Sequence, residues 1–123
     1  MTNLKRVPDA DAVLTKATTR AADLLGLTHS ELAQVIGVSG STVSRYASLK
    51  SRIEPASKPG ELSLLLIRLF RSLDPLVGSD TEKRKAWMHS YNRALNGIPQ
   101  ELVLKADGLT RTLAYLDGMR GPT

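Results

Sequence analysis

The segment from Leu32 to Tyr46 constrains the fold more than any other part of the chain. Small and apolar residues recur in it at the spacing of two short helices joined by a tight turn. Gly37 suits the left-handed backbone of such a turn, and Ala33 is small enough for the two helices to approach closely. Thr28 and Glu31, three residues apart, form a capping-box pattern where the first helix should begin. The segment therefore predicts a helix-turn-helix, whose expected buried positions are Leu32, Ile36, Val38, Val43 and Tyr46.

The residues that this motif leaves exposed are suited to contact nucleic acid. Their hydroxyl groups reach base edges or phosphates, and Arg45 can address a guanine or a phosphate. Because this helix carries a single basic residue, we expect two copies to bind two half-sites. An ordinary helical hairpin with a serine-rich face is the alternative. The predicted DNA-binding residues are Ser39, Gly40, Ser41, Thr42, Ser44, Arg45 and Ser48, followed by Lys50 and Arg52 as phosphate contacts.

Composition favours helices over a sheet. Aromatic residues make up 4% of the chain and hydrophobic residues 41%, so Leu, Ile, Val and Ala must fill the core. The sequence has no cysteine, which excludes disulfides, thiol catalysis and thiolate metal sites. The net charge of +5 favours polyanionic partners but is spread evenly along the chain, so charge alone does not separate a nucleic-acid binder from a generic domain. We expect an all-α protein.

Caps and breaks divide the chain into predicted helices. Ser79 with Glu82 forms a second capping-box pattern, Asp74-Pro75 should end a helix, and Asn96-Gly97 should form a turn. The predicted helices cover residues 11–25, 28–36, 39–49, 61–73, 79–91, 99–104 and 107–119. The predicted organisation is a disordered N-terminus over residues 1–10, a helix-turn-helix region over 11–57 and a helical domain over 58–123.

The predicted helix over residues 61–73 is apolar on nearly all sides. One apolar stripe is enough to bury a helix, so the excess indicates a second packed surface. Two alternatives stay open: a central helix surrounded by its own chain, or an interface between two copies. The half-site argument favours the homodimer, with Leu64, Ile67 and Phe70 in its interface.

The second half of the chain resembles a known domain. The pattern consists of Trp87-Met88, Asn92, Leu95-Asn96-Gly97-Ile98-Pro99, Glu101-Leu102-Val103, Asp107-Gly108-Leu109, Leu116 and Arg120. In this order it resembles the Xre/MbcA/ParS-type toxin-binding domain, which follows an Xre-like helix-turn-helix in antitoxins of RES-type toxins. The resemblance extends from about Ala17 to Arg120, so the helical domain over residues 58–123 is expected to bind the toxin as well as to dimerise. It departs at Lys105, where the family commonly has a Ser or Thr cap, and we expect Asp107 to cap the last helix instead.

The resemblance implies both function and partners. RES toxins of this family degrade NAD, and the antitoxin covers their active site in a stable complex. The antitoxin also binds the double-stranded DNA of its operon promoter as a repressor. From their place near the C-terminus, we expect exposed groups there to contact the toxin, although a frayed end is the alternative for the tail. These residues are Tyr115, Asp117, Met119, Arg120 and Thr123. The apolar residues Trp87, Leu95, Leu102, Leu109, Leu113 and Leu116 are expected in the core.

The sequence provides no catalytic arrangement. His29 and His89 lie far apart without a serine–acid pair or metal-ligand spacing around them, so we expect no enzyme activity, no metal and no cofactor. The longest apolar stretch, residues 62–70, is far shorter than the roughly 20 residues of a membrane span, and Met1–Arg6 has no apolar run behind it. We therefore expect a cytoplasmic protein without membrane contact. A stand-alone repressor, or a protein-binding adaptor with a vestigial helix-turn-helix, are the competing interpretations.

Overall fold

The computed structural model describes residues 9–121, and this part of the chain is helical, as predicted. Its helices are α1 (Ala10–Leu25), α2 (His29–Ile36), α3 (Gly40–Ala47), α4 (Lys58–Leu73), α5 (Thr81–His89), α6 (Pro99–Leu102) and α7 (Ala106–Met119), with a 3-10 helix at Asp74–Val77 after α4. Extended pairing within residues 9–121 is limited to one bridge between Asn92 and Gly97. The disorder expected over residues 1–10 falls mostly on residues 1–8, which lie outside the described part; Ala10 is already helical.

The first three helices begin and end close to the predicted positions. Thr28 Oγ1 accepts from the Glu31 N–H at 3.0 Å, and Glu31 Oε1 accepts from the Thr28 N–H at 2.8 Å, which completes the predicted capping box. Ser39 caps α3 by accepting from the Thr42 N–H. This helix ends at Ala47 rather than Leu49, because Leu49 takes a left-handed backbone with φ of 61°.

Helix α4 begins earlier than predicted. Ser57 Oγ accepts from the Gly60 N–H at 3.1 Å, so the helix starts at Lys58 and not at Glu61. Pro59 is tolerated there because the first turn of a helix needs no N–H donor from it. A Cβ on Gly60 would lie 2.3 Å from the Glu54 carbonyl oxygen, so this start also depends on a glycine packed against the preceding loop.

Two of the predicted caps are wrong. Helix α5 is capped by Asp80, which accepts from the Lys83 N–H at 2.9 Å, whereas the Ser79 hydroxyl donates to Asp74. Helix α7 follows Lys105, which makes no side-chain cap bond, and Asp107 lies in the first turn instead of capping it. Helix α5 also ends at His89 rather than Tyr91, since Ser90 is extended.

One core joins all parts of the described chain, with α4 at its centre. Leu66, Leu69 and Leu73 of α4 are fully buried and belong to one cluster with residues of α1, α2, α5 and α7. Of the predicted C-terminal core residues, Leu95, Leu109, Leu113 and Leu116 are buried. Trp87 is only half-buried, because Arg84 and Met88, four residues apart, form the inward face of α5. Leu102 is half-buried as well.

Candidate DNA-binding edge and partner-binding cleft

The helix-turn-helix is built as its sequence pattern predicts. Gly37 has φ of 75°, and the N–H groups of Gly37 and Val38 both donate to the Ala33 carbonyl, at 2.9 and 3.0 Å. Among the predicted buried positions, only Val38 is half-buried, since it lies at the turn itself. The remaining four are closed off from solvent: Leu32, Ile36, Val43 and Tyr46. The packing therefore fixes which face of α3 is presented outward.

The outward face of α3 is a small network of hydroxyl groups and one arginine. Ser39 Oγ lies 3.1 Å from Ser41 Oγ and 2.8 Å from Thr42 Oγ1, which is half-buried. The Arg45 guanidinium donates to Thr42 Oγ1 at 3.1 Å and to Ser51 Oγ at 3.3 Å. Because these partners are neutral and Arg45 itself is exposed, the guanidinium can exchange them for a phosphate or a base edge at little electrostatic cost.

The other predicted contact residues differ in how free they are. Gly40, Ser44 and Lys50 are exposed, and nothing lies within 4 Å of a Cβ built on Gly40. Ser48 is exposed as well, although its hydroxyl donates to the Arg45 carbonyl. Arg52 is paired instead, at 2.8 Å to Asp9 and 3.5 Å to Asp11 at the start of α1. Arg52 therefore joins the linker between α3 and α4, residues 48–57, to α1. It is the least available of the predicted phosphate contacts.

A second candidate site lies between the C-terminal ends of α4 and α7. It is a cleft of about 350 Å³ lined by Arg68, Arg71, Ser72, Asp117, Arg120 and Gly121. The buried Ser72 hydroxyl is its centre, since it donates to Asp117 Oδ1 at 2.6 Å and accepts from Arg120 Nη1 at 3.1 Å. Arg68 Nη2 approaches Asp117 Oδ2 to 3.6 Å. Three guanidinium groups and one carboxylate leave this cleft, which we call the arginine cleft, positively charged.

The predicted toxin-binding residues are brought together only in part. Asp117 and Arg120 line the arginine cleft, and Met119 is 53% exposed near it. Tyr115 is half-buried against the core rather than exposed, because it shares the inward edge of α7 with Leu116. Thr123 lies outside the described residues. Sequence reasoning missed Arg68, Arg71 and Ser72; the only signal was an arginine interrupting an otherwise apolar stretch.

The predicted dimer residues lie on the exposed side of α4. Leu64 is 48% exposed, while Ile67 and Phe70 are half-buried. Leu64 and Ile67 line an apolar groove of about 540 Å³ between α1 and α4. Phe70 lies further along, where the Arg84 guanidinium stacks over its ring at 5.2 Å. Helix α4 is therefore both a central helix and a helix with an exposed apolar side.

A buried ion pair holds the corner where α1, α4 and α5 meet. Arg84 Nη2 donates to Asp74 Oδ1 at 2.8 Å, and Nη1 reaches the Leu24 carbonyl at 3.4 Å. The hydrogen bond from Arg84 lowers the pKa of Asp74, outweighing burial, which acts in the opposite direction; the Ser79 hydroxyl and the Arg84 charge lower it further.

Comparison with protein families finds one match in the N-terminal part of the chain and one in the C-terminal part. The antitoxin Xre-like helix-turn-helix domain matches residues 7–71, and the antitoxin Xre/MbcA/ParS C-terminal toxin-binding domain matches residues 72–122. The chain belongs to the Xre/MbcA/ParS antitoxin family. Comparison with curated proteins finds no match.

The antitoxin's two family domains meet within α4, between Arg71 and Ser72. The helix-turn-helix domain thus includes most of α4 and two arginines of the arginine cleft, and the toxin-binding domain supplies Ser72, Asp117 and Arg120. A toxin-binding domain implies a toxin partner. Over residues 9–121 of this antitoxin, no helix is long and apolar enough to cross a membrane, and no group of three or more histidine or acidic side chains could hold a metal ion.

Proposed function

We propose that this antitoxin neutralises a RES-type, NAD-degrading toxin by covering its active site, and that it represses its own operon by binding promoter DNA. The match of the toxin-binding domain over residues 72–122 carries the first part. It acts by binding and not by catalysis. The structural division into a DNA-binding and a toxin-binding part is proposed at residue 57/58, in the linker before α4.

For DNA binding, the support is the exposed face of α3. A homodimer would place the two copies of this helix in successive major grooves, with Arg45 and the hydroxyl groups near bases and Lys50 at a phosphate. Arg52 would contribute only after leaving Asp9 and Asp11, which makes it the weakest of the proposed contacts.

For toxin binding, the support is the arginine cleft and its surroundings. Its three guanidinium groups provide donors for a partner's acidic or carbonyl groups, and Met119 offers an exposed apolar contact beside it. Asp117 and Arg120 are the proposed central contacts, and Tyr115 and Thr123 are proposed as further contacts.

The decisive experiment is co-expression with the product of the adjacent gene, followed by co-purification and an NAD assay. A stable complex, together with NAD depletion only when the toxin is freed, is the expected result. If no complex forms and the neighbour is harmless, the antitoxin role for a RES toxin is wrong, and a stand-alone helix-turn-helix repressor becomes the better interpretation.

Two variants separate the proposed surfaces. Arg45→Ala should weaken promoter binding without loosening neutralisation, because Arg45 lies on α3 and far along the chain from α7. Deleting Arg120 to Thr123 should impair neutralisation more than DNA binding. Equal loss of both activities in either variant would contradict separate surfaces.

The homodimer is proposed on the groove between α1 and α4, with a second copy as its occupant. Leu64→Glu should shift the sedimentation-equilibrium mass from dimer towards monomer and weaken promoter binding, since a buried carboxylate is costly to desolvate. Leu76→Glu is a matched control, because Leu76 is an exposed leucine on the 3-10 helix outside the groove. An unchanged dimer in Leu64→Glu would exclude this interface.

A further inference from the structure

The DNA-facing side of the helix-turn-helix is short of positive charge. Arg45 and Lys50 are the exposed cations of α3 and the residues that follow it, and Arg52 is paired with Asp9 and Asp11. Protein–DNA affinity rests largely on cations placed at phosphates. Further cations must therefore come from another part of the chain if DNA binding is to be strong.

The N-terminus of α2 is a place where such a cation is needed. In a helix-turn-helix the first helix crosses the DNA backbone, and the N–H groups of its first turn, here His29 and Ser30, are free to bind a phosphate oxygen. The Glu31 carboxylate lies at the same end, because it completes the capping box. Its negative charge opposes a phosphate unless a cation offsets it.

The toxin-binding domain supplies a lysine next to the junction of α1 and α2. The side chain of Lys85 on α5 packs over Gly26, at the junction of α1 and α2: a Cβ built on Gly26 would lie 3.5 Å from Lys85 Cγ and 3.8 Å from Cδ. Lys85 is nevertheless exposed, so its ammonium group, two bonds beyond Cδ, can extend into solvent next to Gly26. Within residues 9–121 no carboxylate lies within 4.0 Å of it.

Contacts of neighbouring residues hold the helix that carries Lys85 against α1 and α2. Gln100 Nε2 of α6 donates to Glu31 Oε2 at 2.7 Å, which joins the C-terminal lobe to the first turn of α2. Arg84, next to Lys85, is anchored on Asp74 and reaches the end of α1. The backbone at Lys85 therefore keeps its place relative to α2.

From these contacts we propose that Lys85 binds a DNA backbone phosphate next to the N-terminus of α2, so that the toxin-binding lobe extends the DNA footprint of the helix-turn-helix. The proposal rests on the proposed promoter binding. The contact is to the phosphodiester and not to a base, so it strengthens binding to every DNA sequence equally. A phosphate contact from the C-terminal lobe also means that the helix-turn-helix alone binds DNA less tightly than the full chain.

The test is the salt dependence of DNA binding by the full-length protein. Fluorescence anisotropy of a labelled duplex from upstream of the gene gives the slope of log K against log salt for wild type, Lys85→Ala and Lys85→Arg. One lost phosphate contact reduces the magnitude of the slope by about 0.9 and weakens binding about eightfold at 0.1 M salt. Lys85→Arg should keep the wild-type slope.

Lys16→Ala is the charge-matched control. Lys16 is exposed on α1, ten residues before Gly26 and therefore about 15 Å away along the helix. The slope of log K against log salt for Lys16→Ala should equal that of wild type. If wild type binds the duplex but Lys85→Ala keeps the wild-type salt slope, the Lys85 contact is wrong. The same holds if Lys16→Ala reduces the slope as much as Lys85→Ala does. In both cases the proposed promoter binding stands. If wild type shows no salt-dependent binding, the proposed promoter binding itself is wrong, and this inference falls with it.

Discussion

The α2–α3 region and the α6–α7 region begin their helices by different means. Side chains cap α2 and α3, through Thr28 and Ser39, whereas Ile98 and Lys105 make no side-chain bond before α6 and α7. The second region relies on close packing, since a Cβ on Gly108 would lie 2.0 Å from the Leu102 carbonyl oxygen. Where a local cap is absent, the start of a helix depends on a neighbour that the sequence pattern does not reveal.

The largest expected effect on this contrast comes from Gly108→Ala, which tests whether α7 depends on its packing against α6. The added methyl group meets backbone, which cannot turn aside, so we expect a loss of about 3 kcal/mol in the free energy of unfolding. Urea denaturation followed by circular dichroism measures it. Gly118→Ala, in the same helix but with open space around its Cβ, should instead gain about 0.5 kcal/mol. Equal stability of the two variants would show that α7 does not depend on its fit against α6.

The corner where α1, α4 and α5 meet, outside both of these regions, depends on charge. Arg84→Met should cost about 2 kcal/mol of unfolding free energy, because it leaves the partly buried Asp74 without its partner and removes the link to the Leu24 carbonyl. Lys83→Met, on the same helix, is the control, since Lys83 is exposed. It should change stability by less than about 0.5 kcal/mol. A loss in Arg84→Met no larger than in Lys83→Met would contradict a role for this pair.

The same variant has a pH signature. Arg84 lowers the pKa of Asp74 in the folded state, so the pair stabilises the protein above the ordinary aspartate pKa of about 3.9 and loses that effect as pH falls through the lowered value. We expect wild type to lose stability below about pH 4 more steeply than Arg84→Met, as measured by thermal unfolding at several pH values. Parallel pH profiles of wild type and Arg84→Met would mean that the ion pair does not couple protonation of Asp74 to folding.

Thr28→Ala tests how much the side-chain cap of α2 contributes to stability. Loss of the acceptor for the Glu31 N–H should cost about 1 kcal/mol. Ser30→Ala, in the first turn of the same helix, removes an exposed hydroxyl that caps nothing and should be close to neutral. Chemical denaturation of both variants makes the measurement. If Thr28→Ala is also neutral, α2 is held by its packing alone and the contrast with α7 disappears.

The smallest expected effect comes from giving α7 the cap it lacks. Lys105→Ser should gain about 0.5 kcal/mol, because a serine hydroxyl at this position can accept from a free N–H of the first turn. Lys105→Ala removes the same lysine without adding an acceptor and should gain nothing. A gain in both variants would assign the effect to loss of the lysine and not to capping.

This contrast also explains what the sequence could and could not predict. The capping box at Thr28 and the left-handed Gly37 are local signals, and both were predicted and confirmed. The cap of α5 was misplaced by one residue, from Asp80 to Ser79, because two neighbouring residues could both accept and only the tertiary position of Asp74 selects between them.

The candidate sites follow the same division. The exposed face of α3 could be predicted because periodicity separates it from the buried face, and its predicted residues are exposed or half-buried. The arginine cleft could not, since Arg68 and Arg71 meet Asp117 and Arg120 only when α4 packs beside α7. Sequence reasoning found the half of the cleft near the chain end and missed the half on α4.

The position of the family boundary inside α4 has a consequence for inheritance. An ancestor that exchanged its toxin-binding domain at this boundary would bring in new residues at positions 72, 117 and 120 but keep Arg68 and Arg71 from the recipient. Two of the six lining residues would then descend from the recipient and four from the donor. If the cleft contacts the toxin, as proposed, exchange of the second domain alone would not carry all of these contacts with it.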